Sequence, residues 1–215
     1  MSRPPANLKI YHITHMDNLG SIVSSGQLLS DATIAAKGGP KSIIGMSEIK
    51  KRRLRLPVNC HSGDFVGDYV PFYFCPRSVM LFVVRCANLP DLNYRGGQNS
   101  ILHLEADVKK VVAWAEKECI RWAFSLSNAG ALYTQFHSDL AALKNINWKA
   151  VYASDFSSPE TKEAKQAEFL VHNSFPWVLF DRIGVISLGM KHQVDQILSG
   201  IAQKPVVEIK PEWYF

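Results

Sequence analysis

The stretch Lys165-Gln166-Ala167-Glu168-Phe169-Leu170-Val171 contains one acidic residue, Glu168, and is apolar after it. The residues before this stretch, 157–164, are charged and polar, which predicts an exposed loop. The residues after Glu168 are apolar and favour a buried strand. A carboxylate at such a junction is well placed to contact a ligand. The common alternative is an exposed glutamate at a strand edge, because charged side chains are mostly solvated.

The pattern of apolar residues elsewhere predicts short strands mixed with short helices. Strands are predicted at 8–14, 69–75, 79–85, 100–105, 119–125, 182–188 and 206–209. Helices are predicted from an Asp17 N-cap to a stop at Gly26, from an Asp107 N-cap to Glu116, and over 133–143 and 192–201. Residues 30–45 are predicted to be a loop. Because the elements do not alternate in a βαβ rhythm, the pattern predicts an α+β fold with antiparallel sheets.

Composition limits the classes of protein to which the chain can belong. Its 215 residues are 47% hydrophobic, which suits one domain with a sizeable core. The net charge of +5 and the pI of about 9.0 suit an anionic partner. No apolar run is long enough to span a bilayer, and no CxxC pair indicates zinc. The apolar flanks of Cys75 and Cys86 predict reduced core thiols, so we expect a cytoplasmic protein.

Three other places carry candidate ligand-binding side chains. His12 and Thr14 end the first strand just before a helix, a position that suits an oxygen-rich ligand, although a lone histidine is more often a core residue. Residues 49–55 contain five basic side chains, which indicate an anion-binding surface or a solvated helix face. The aromatic run at 69–75 ends beside Arg77 and could stack a planar base, although core packing is commoner. The chain has neither GxGxxG nor GxxxxGK[ST], so a Rossmann or P-loop site is not predicted.

Taken together, these segments resemble the DarT family, the toxins of DarT–DarG toxin–antitoxin pairs. The resemblance follows chain order and rests on five segments: 10–15 (IYHITH), 49–53 (IKKRR), 68–78 (DYVPFYFCPRS), 97–104 (GQ followed by ILHL) and 166–171 (QAEFLV). It implies an α+β ADP-ribosyltransferase fold over residues 1–215, with two packed, mainly antiparallel sheets, flanking helices and an NAD cleft. It also implies transfer of ADP-ribose from NAD to a base, in most cases thymidine, in single-stranded DNA.

The resemblance also assigns roles to individual positions. Glu168 matches the catalytic glutamate of the family, and Arg53 matches its active-site arginine. The expected partners are single-stranded DNA and a DarG-type macrodomain antitoxin, with NAD as co-substrate and without a metal. The NAD-binding residues implied are His12, Thr14, Asn18, Arg53 and Tyr73. The DNA-binding residues implied are Lys50, Lys51, Arg52, Arg55, Arg77 and Met80, with residues 155–167 as the loop that reads the substrate.

Two departures from the family pattern concern the target more than the chemistry. Val79 stands where the family has a proline, and residues 125–129 read SLSNA where an Asp-Gly/Arg-Asn/His stretch is expected. A guanine target, transfer to RNA or protein, and a catalytically dead nucleic-acid-binding domain therefore remain the alternatives. Glu168 and Arg53 together argue against a dead domain.

Overall fold

Ten strands and eight α-helices form within residues 3–87 and 92–215, the part of the chain that the computed structural model describes. The strands are β1 (Lys9–His15), β2 (Gln27–Leu29), β3 (Tyr69–Tyr73), β4 (Ile101–Asp107), β5 (Trp122–Asn128), β6 (Phe136–His137), β7 (Ala167–His172), β8 (Ser174–Pro176), β9 (Phe180–Val185) and β10 (Val206–Ile209). The helices are α1 (Met16–Ser25), α2 (Asp31–Ala36), α3 (Ser47–Arg53), α4 (Val79–Cys86), α5 (Val108–Lys117), α6 (Trp148–Val151), α7 (Pro159–Ala164) and α8 (Leu188–Ile197).

Eight of the strands, within these described ranges, follow the order β10-β9-β4-β1-β3-β7-β5-β6. Neighbouring strands run antiparallel except β9 and β10, which are parallel. β1 pairs with β4 over seven residues but with β3 only at Tyr11 and Tyr73. The strands therefore form two four-stranded halves that separate beside this pair. The α+β fold with two mainly antiparallel sheets is confirmed.

Apolar side chains from both halves share one core. Ile10 of β1 and Phe72 of β3 belong to the same buried cluster as Phe169 of β7. Polar side chains beside them, such as that of Thr14, face the gap between the halves, where β1 and β3 diverge. Within residues 3–87 and 92–215, no helix has the length and apolar character needed to cross a bilayer.

Helix α1 begins earlier than the sequence predicts. The N-cap is His15, whose Nδ1 accepts from the Asp17 backbone N–H at 3.2 Å, and Asp17 lies in the first turn. An acid there still stabilises the helix, because it faces the positive end of the helix dipole. The predicted stop at Gly26 is confirmed: its φ of 68° is left-handed, and its N–H closes the last turn.

The predicted strand at 79–85 is wrong, because these residues form α4. Ser78 caps this helix, with its Oγ accepting from the Leu81 N–H at 3.1 Å. A short run that is apolar at almost every position has no periodicity that separates a buried strand from a buried helix. Ser78 is an N-cap residue type, and its position just before the apolar run indicates a helix.

The other differences lie in segments between strands. Residues 30–45 contain α2, which is capped by Ser30, and the charged run before Glu168 contains α7, which is capped by Ser158. The predicted helix at 133–143 is replaced by β6 and a 3₁₀ helix, Leu140–Asn145. Of the two predicted core thiols, Cys75 is buried, whereas Cys86 is exposed on the outer face of α4.

Gly184 of β9 is a position where the fold requires glycine. A Cβ added there would lie 2.3 Å from two carbons of the Trp213 ring. We therefore expect Gly184→Ala to lower the free energy of unfolding by about 1–3 kcal/mol, the usual cost of overpacking a core. Urea denaturation measures this change.

Gly189 in α8 supplies the matched control. A Cβ at Gly189 meets no atom within 4 Å, and its backbone is helical. Gly189→Ala should raise the free energy of unfolding by about 0.4–1 kcal/mol, because alanine restricts the unfolded chain. Equal effects of the two substitutions would show that the Trp213 contact carries no packing energy.

Candidate active site

A buried ion pair joins the two residues to which the sequence assigns catalysis. Arg53 Nη1 donates to both carboxylate oxygens of Glu168 at 3.0 Å, and Nη2 donates to Oε2 at 3.0 Å. Glu168 is 3% exposed and Arg53 is 7% exposed. Such two-pronged pairing fixes the plane of the carboxylate as well as its position.

Three elements hold this pair in place. Glu168 lies on β7, where its backbone N–H donates to Ser125 Oγ of β5 at 3.0 Å. The Ala129 N–H, just after β5, donates to Glu168 Oε1 at 3.3 Å. Arg53 is the last residue of α3, and its side chain lines the cleft. The Arg53–Glu168 pair thus joins helix α3 to strand β7 in the interior.

Burial and pairing act in opposite directions on this pair. Burial raises the pKa of the Glu168 carboxyl, and Arg53 opposes that rise. For Arg53, burial acts to lower the pKa, but the Glu168 carboxylate together with Asp31 and Tyr73 outweighs it, so the pKa is raised. The raised pKa of Glu168 favours a neutral carboxyl group, whereas the raised pKa of Arg53 favours a charged guanidinium. The three short hydrogen bonds and the strong basicity of guanidinium favour the ionised pair.

A second ion pair lines the same cleft. Lys50 lies one turn before Arg53 on α3, and its Nζ contacts Asp31 Oδ1 at 2.7 Å. The i, i+3 spacing puts Lys50 and Arg53 on one face of α3, whereas Lys51 and Arg52 are exposed. The predicted basic patch is therefore divided between the cleft and the outer surface.

The cleft has a volume of about 430 Å³ and follows the gap between the two halves of the sheet. This volume is in the range of small-molecule and cofactor sites. The structure brings most of the predicted site residues to its wall: His12, Thr14, Asn18, Lys50, Arg53, Tyr73, Met80 and Glu168.

His12 and Tyr73 present neutral polar groups to this cleft. His12 Nδ1 donates to the Pro71 carbonyl oxygen at 2.8 Å, which leaves Nε2 as an acceptor. Burial lowers the pKa of His12 to about 4, so the ring is neutral at physiological pH. Burial raises the pKa of Tyr73, so its hydroxyl remains a donor. These groups suit uncharged partners such as sugar hydroxyls or a carboxamide.

Asn18 holds the loop formed by residues 37–46, which lies over the cleft. Its Nδ2 donates to the Ser42 carbonyl oxygen at 2.8 Å, and its Oδ1 accepts from the Ser42 N–H at 3.0 Å. Ser42 Oγ also donates to Asp17 Oδ2 at 2.8 Å. Gly38 and Gly39 have left-handed φ angles of 91° and 92°, so this loop turns where other residues would be strained.

The resemblance implies that NAD binds in this cleft, so we expect Asn18→Ala to weaken NAD binding about tenfold. The variant loses its two hydrogen bonds to Ser42, worth about 0.5–1.5 kcal/mol each, so the loop is held less tightly to α1. Calorimetric titration with NAD measures the affinity, and hydrogen exchange over 37–46 reports the looser attachment. Ser42→Ala is the control, because both bonds to Asn18 use the Ser42 backbone and survive. Equal NAD affinities for Asn18→Ala and the wild type would contradict this role.

The remaining predicted residues lie outside the cleft. Exposed Arg52 and Arg55 border an outer depression together with Leu132. Arg77 stacks on Phe215, with its Cζ 4.4 Å from the ring centroid. In the described part of the chain, no group of three or more His, Cys, Asp or Glu side chains could hold a metal ion.

The sequence did not reveal several residues that build the site. Asp31 was assigned to a loop, although Ser30 before it is a recognisable N-cap. Ser125 contributes a hydroxyl and Ala129 a backbone N–H, and no sequence motif indicates either contact. Both fall in 125–129, where the sequence departs from the family pattern.

Comparison of folds defines the class of protein. A DarT from Thermus sp. 2.9, solved in complex with ADP-ribosylated ssDNA, superposes with a TM-score of 0.90 at 35% identity, over 100% of both chains. The same protein in complex with NAD+ superposes with a TM-score of 0.82 at 34% identity, over 99% of this chain and 100% of that one. The fold and the cleft are those of an ADP-ribosyltransferase.

Sequence comparison specifies the family. The profile described as "ssDNA thymidine ADP-ribosyltransferase, DarT" matches residues 11–215. A DNA ADP-ribosyl transferase of Thermus sp. (strain 2.9) is 37% identical over 214 residues, 98% of each chain. That of Thermus aquaticus is 36% identical over 98% of this chain and 90% of its own length. The chain belongs to the DarT family, which confirms the resemblance.

Proposed function

We propose that this protein transfers ADP-ribose from NAD to a thymidine base in single-stranded DNA and releases nicotinamide. The observation that carries the proposal is the buried Glu168–Arg53 pair at the wall of the cleft. A buried ion pair that contacts no ligand would stabilise a core poorly, because desolvation of its charges is costly. Apolar residues of similar volume stabilise a core equally well. The DarT of Thermus sp. 2.9, solved with NAD+ and with ADP-ribosylated ssDNA, supports the choice of substrates.

Glu168 orients the ribose that leaves nicotinamide. Breaking the glycosidic bond develops positive charge on this sugar, as in glycoside hydrolysis. A carboxylate that accepts a hydrogen bond from a ribose hydroxyl stabilises this charge and holds the anomeric carbon in place. The contacts from Arg53 and Ala129 fix the carboxylate beforehand, so reorganisation during the reaction is small.

Arg53 stabilises negative charge on both substrates. The attacking thymine nitrogen must lose a proton, and a guanidinium with a pKa above about 12 is a poor base. We therefore assign Arg53 to the NAD phosphate and to the base as it becomes anionic. Placement of the base matters because water competes for the same ribosyl cation.

The remaining residues of the cleft bind NAD. His12 and Thr14 on β1 and Tyr73 on β3 offer neutral acceptors and donors to the nucleotide. Asn18 contributes through its two bonds to Ser42, which keep the loop over the cleft. Lys50 lies in the same cleft and is paired with Asp31, so its charge is partly compensated before a ligand binds.

The DNA strand is proposed to approach over Arg52, Arg55, Arg77 and Met80. Arg52 and Arg55 are exposed cations on the outer side of α3, which suits contact with phosphates. Met80 lines the cleft and offers an apolar surface to a base. The target base must be unpaired to reach the cleft, which explains a single-strand preference.

The biological setting is part of the proposal. We propose residues 1–215 as one ADP-ribosyltransferase domain that acts in the cytoplasm, where NAD and DNA are available. We also propose that the chain is the toxin of a toxin–antitoxin pair with a DarG-type macrodomain antitoxin as partner. Its resemblance to the toxins of DarT–DarG pairs supports this.

Mass spectrometry of defined oligonucleotides tests the target. The protein is incubated with NAD and with single-stranded oligonucleotides that each contain a single type of base. We expect an ADP-ribose adduct only on the thymidine oligonucleotide, and none when the same sequence is paired in a duplex. An adduct only on the guanine oligonucleotide would change the base, and adducts on RNA or protein without any on DNA would overturn the proposal.

A further inference from the structure

Three phenylalanines form an aromatic surface outside the cleft, which we call the phenylalanine platform: Phe82, Phe156 and Phe215. Their ring centroids lie 5.3 Å apart for Phe82–Phe156, 5.2 Å for Phe82–Phe215 and 6.0 Å for Phe156–Phe215. All three rings are partly exposed. They come from α4, from the loop between α6 and α7, and from residue 215, so only the fold brings them together.

Two cations flank the platform. The Arg77 guanidinium lies over Phe215 at 4.4 Å, and Lys165 Nζ lies over Phe156 at 5.6 Å. Lys165 is buried and donates to the Val151 carbonyl oxygen at 2.7 Å, so it anchors the segment that leads to Glu168. Arg77 differs, because within residues 3–87 and 92–215 it makes no ion pair and its buried Nε has no hydrogen-bond partner.

The platform is continuous with the wall of the cleft. Phe215, Met80 and Tyr73 pack against the same small apolar cluster, and Met80 and Tyr73 line the cleft. Phe156 belongs to 155–167, the segment that precedes Glu168. Asp155 is the acid beside it in sequence, and its carboxylate accepts from the Ser157 N–H of its own loop at 2.9 Å. The rings are therefore placed to contact a strand whose target base enters the cleft.

We propose that the phenylalanine platform is a subsite for a nucleotide adjacent to the modified base, with its base on the aromatic surface and its phosphate at Arg77. This proposal rests on the proposed function and adds where the neighbouring nucleotide binds. Partly exposed rings beside an unpaired guanidinium are the usual means of binding single-stranded nucleic acid, because every base has a face that stacks. The guanidinium fork matches a phosphate.

Phe156→Leu tests the stacking, because leucine keeps an apolar side chain and removes the ring face. Transfer is measured with oligonucleotides that carry one target thymidine, in which each neighbouring base is replaced in turn by an abasic nucleotide. For the wild type, we expect one neighbouring position at which loss of the base lowers kcat/KM about 5- to 150-fold, the range for one stacked base. Phe156→Leu should show that loss on the intact oligonucleotide and little further loss when that base is removed.

The control is Phe65→Leu, which changes a phenylalanine that is 41% exposed and makes none of the platform contacts. It should retain the wild-type response to every abasic position. If Phe156→Leu also retains that full response, the subsite is wrong. If the wild type modifies no oligonucleotide, the proposed function fails instead, so the two failures are distinguishable.

Arg77→Gln tests the phosphate contact independently of the packing of Phe156. Each phosphate contact to single-stranded DNA changes the slope of log(kcat/KM) against log salt by about 0.7. Arg77→Gln should reduce the slope by about that amount, whereas Arg85→Gln, which changes an exposed arginine on α4, should not. An unchanged slope for Arg77→Gln would refute the phosphate contact.

Discussion

Glu168→Gln should lower the rate of ADP-ribose transfer about 10³-fold or more, the upper range for removing one preorganised group that stabilises transition-state charge. Glutamine has the same shape as glutamate but lacks the negative charge that stabilises the developing ribosyl cation. It also leaves the buried Arg53 guanidinium, which now donates three hydrogen bonds to Glu168, without a counter-charge. Single-turnover kinetics with saturating NAD and a thymidine oligonucleotide measure the rate.

Glu105→Gln separates catalysis from stability in this experiment. Glu105 of β4 is also 3% exposed and paired with an arginine, since Arg182 Nη1 donates to its Oε1 at 2.8 Å. Removal of one partner from a buried ion pair costs about 3–5 kcal/mol, and less for Glu105, because the Arg182 side chain is 32% exposed and also pairs with Glu208. We expect both variants to lose stability in urea but only Glu168→Gln to lose transfer. Equal losses of transfer in both would mean that Glu168 acts only through the fold.

Glu168 also shows what the sequence could predict and what it could not. The start of β7 at the end of a polar segment was predicted, because the change from charged to apolar residues is local. The partner of Glu168 is 115 residues away, and no local pattern encodes that contact. Only the family resemblance linked Glu168 to Arg53 before the structure did.

Helix ends can be predicted from the sequence where a specific capping residue marks them. The helix stop at Gly26 and the N-cap at Asp107 were predicted, since a left-handed glycine and a side-chain acceptor each act within one turn. Residues 79–85 were predicted as a strand, because apolar character without periodicity does not define a helix. The N-cap residue Ser78 is then the sequence feature that indicates where helix α4 begins.

Arg77 illustrates a limit of a different kind. The resemblance assigns it to DNA binding, and the aromatic run 69–75 beside it is predicted as a surface that could stack a planar base. In the structure the Arg77 guanidinium lies over Phe215, 138 residues later in the chain. Tertiary structure decides which of many aromatic residues meets a given cation, because eleven phenylalanines are available.

Arg53→Ala should abolish transfer to DNA while part of the affinity for NAD remains. His12, Thr14 and Tyr73 still line the cleft in this variant, so the nucleotide keeps most of its contacts. The base loses the cation that stabilises it as it becomes anionic, and Glu168 loses three hydrogen bonds. We expect a loss of transfer of about 10³-fold, measured on the thymidine oligonucleotide, with NAD affinity measured by calorimetry.

The pH dependence of NAD hydrolysis by Arg53→Ala gives this prediction a sharper form. Burial already raises the pKa of Glu168, and Arg53 is the largest influence that opposes the rise. Without Arg53 the pKa rises further, so a larger fraction of Glu168 is protonated at neutral pH. Residual NAD hydrolysis needs the ionised carboxylate, so it should increase with pH over a range in which the wild type is constant.

Lys50→Ala is the matched control, because Lys50 lies on the same face of α3 but pairs with Asp31 rather than with Glu168. It should weaken substrate binding without moving the pH profile, since the Glu168–Arg53 pair is intact. Near-wild-type transfer by Arg53→Ala would remove Arg53 from the mechanism. A pH profile shifted equally by Lys50→Ala would show that any cation in the cleft sets the ionisation of Glu168, and not the two-pronged contact from Arg53.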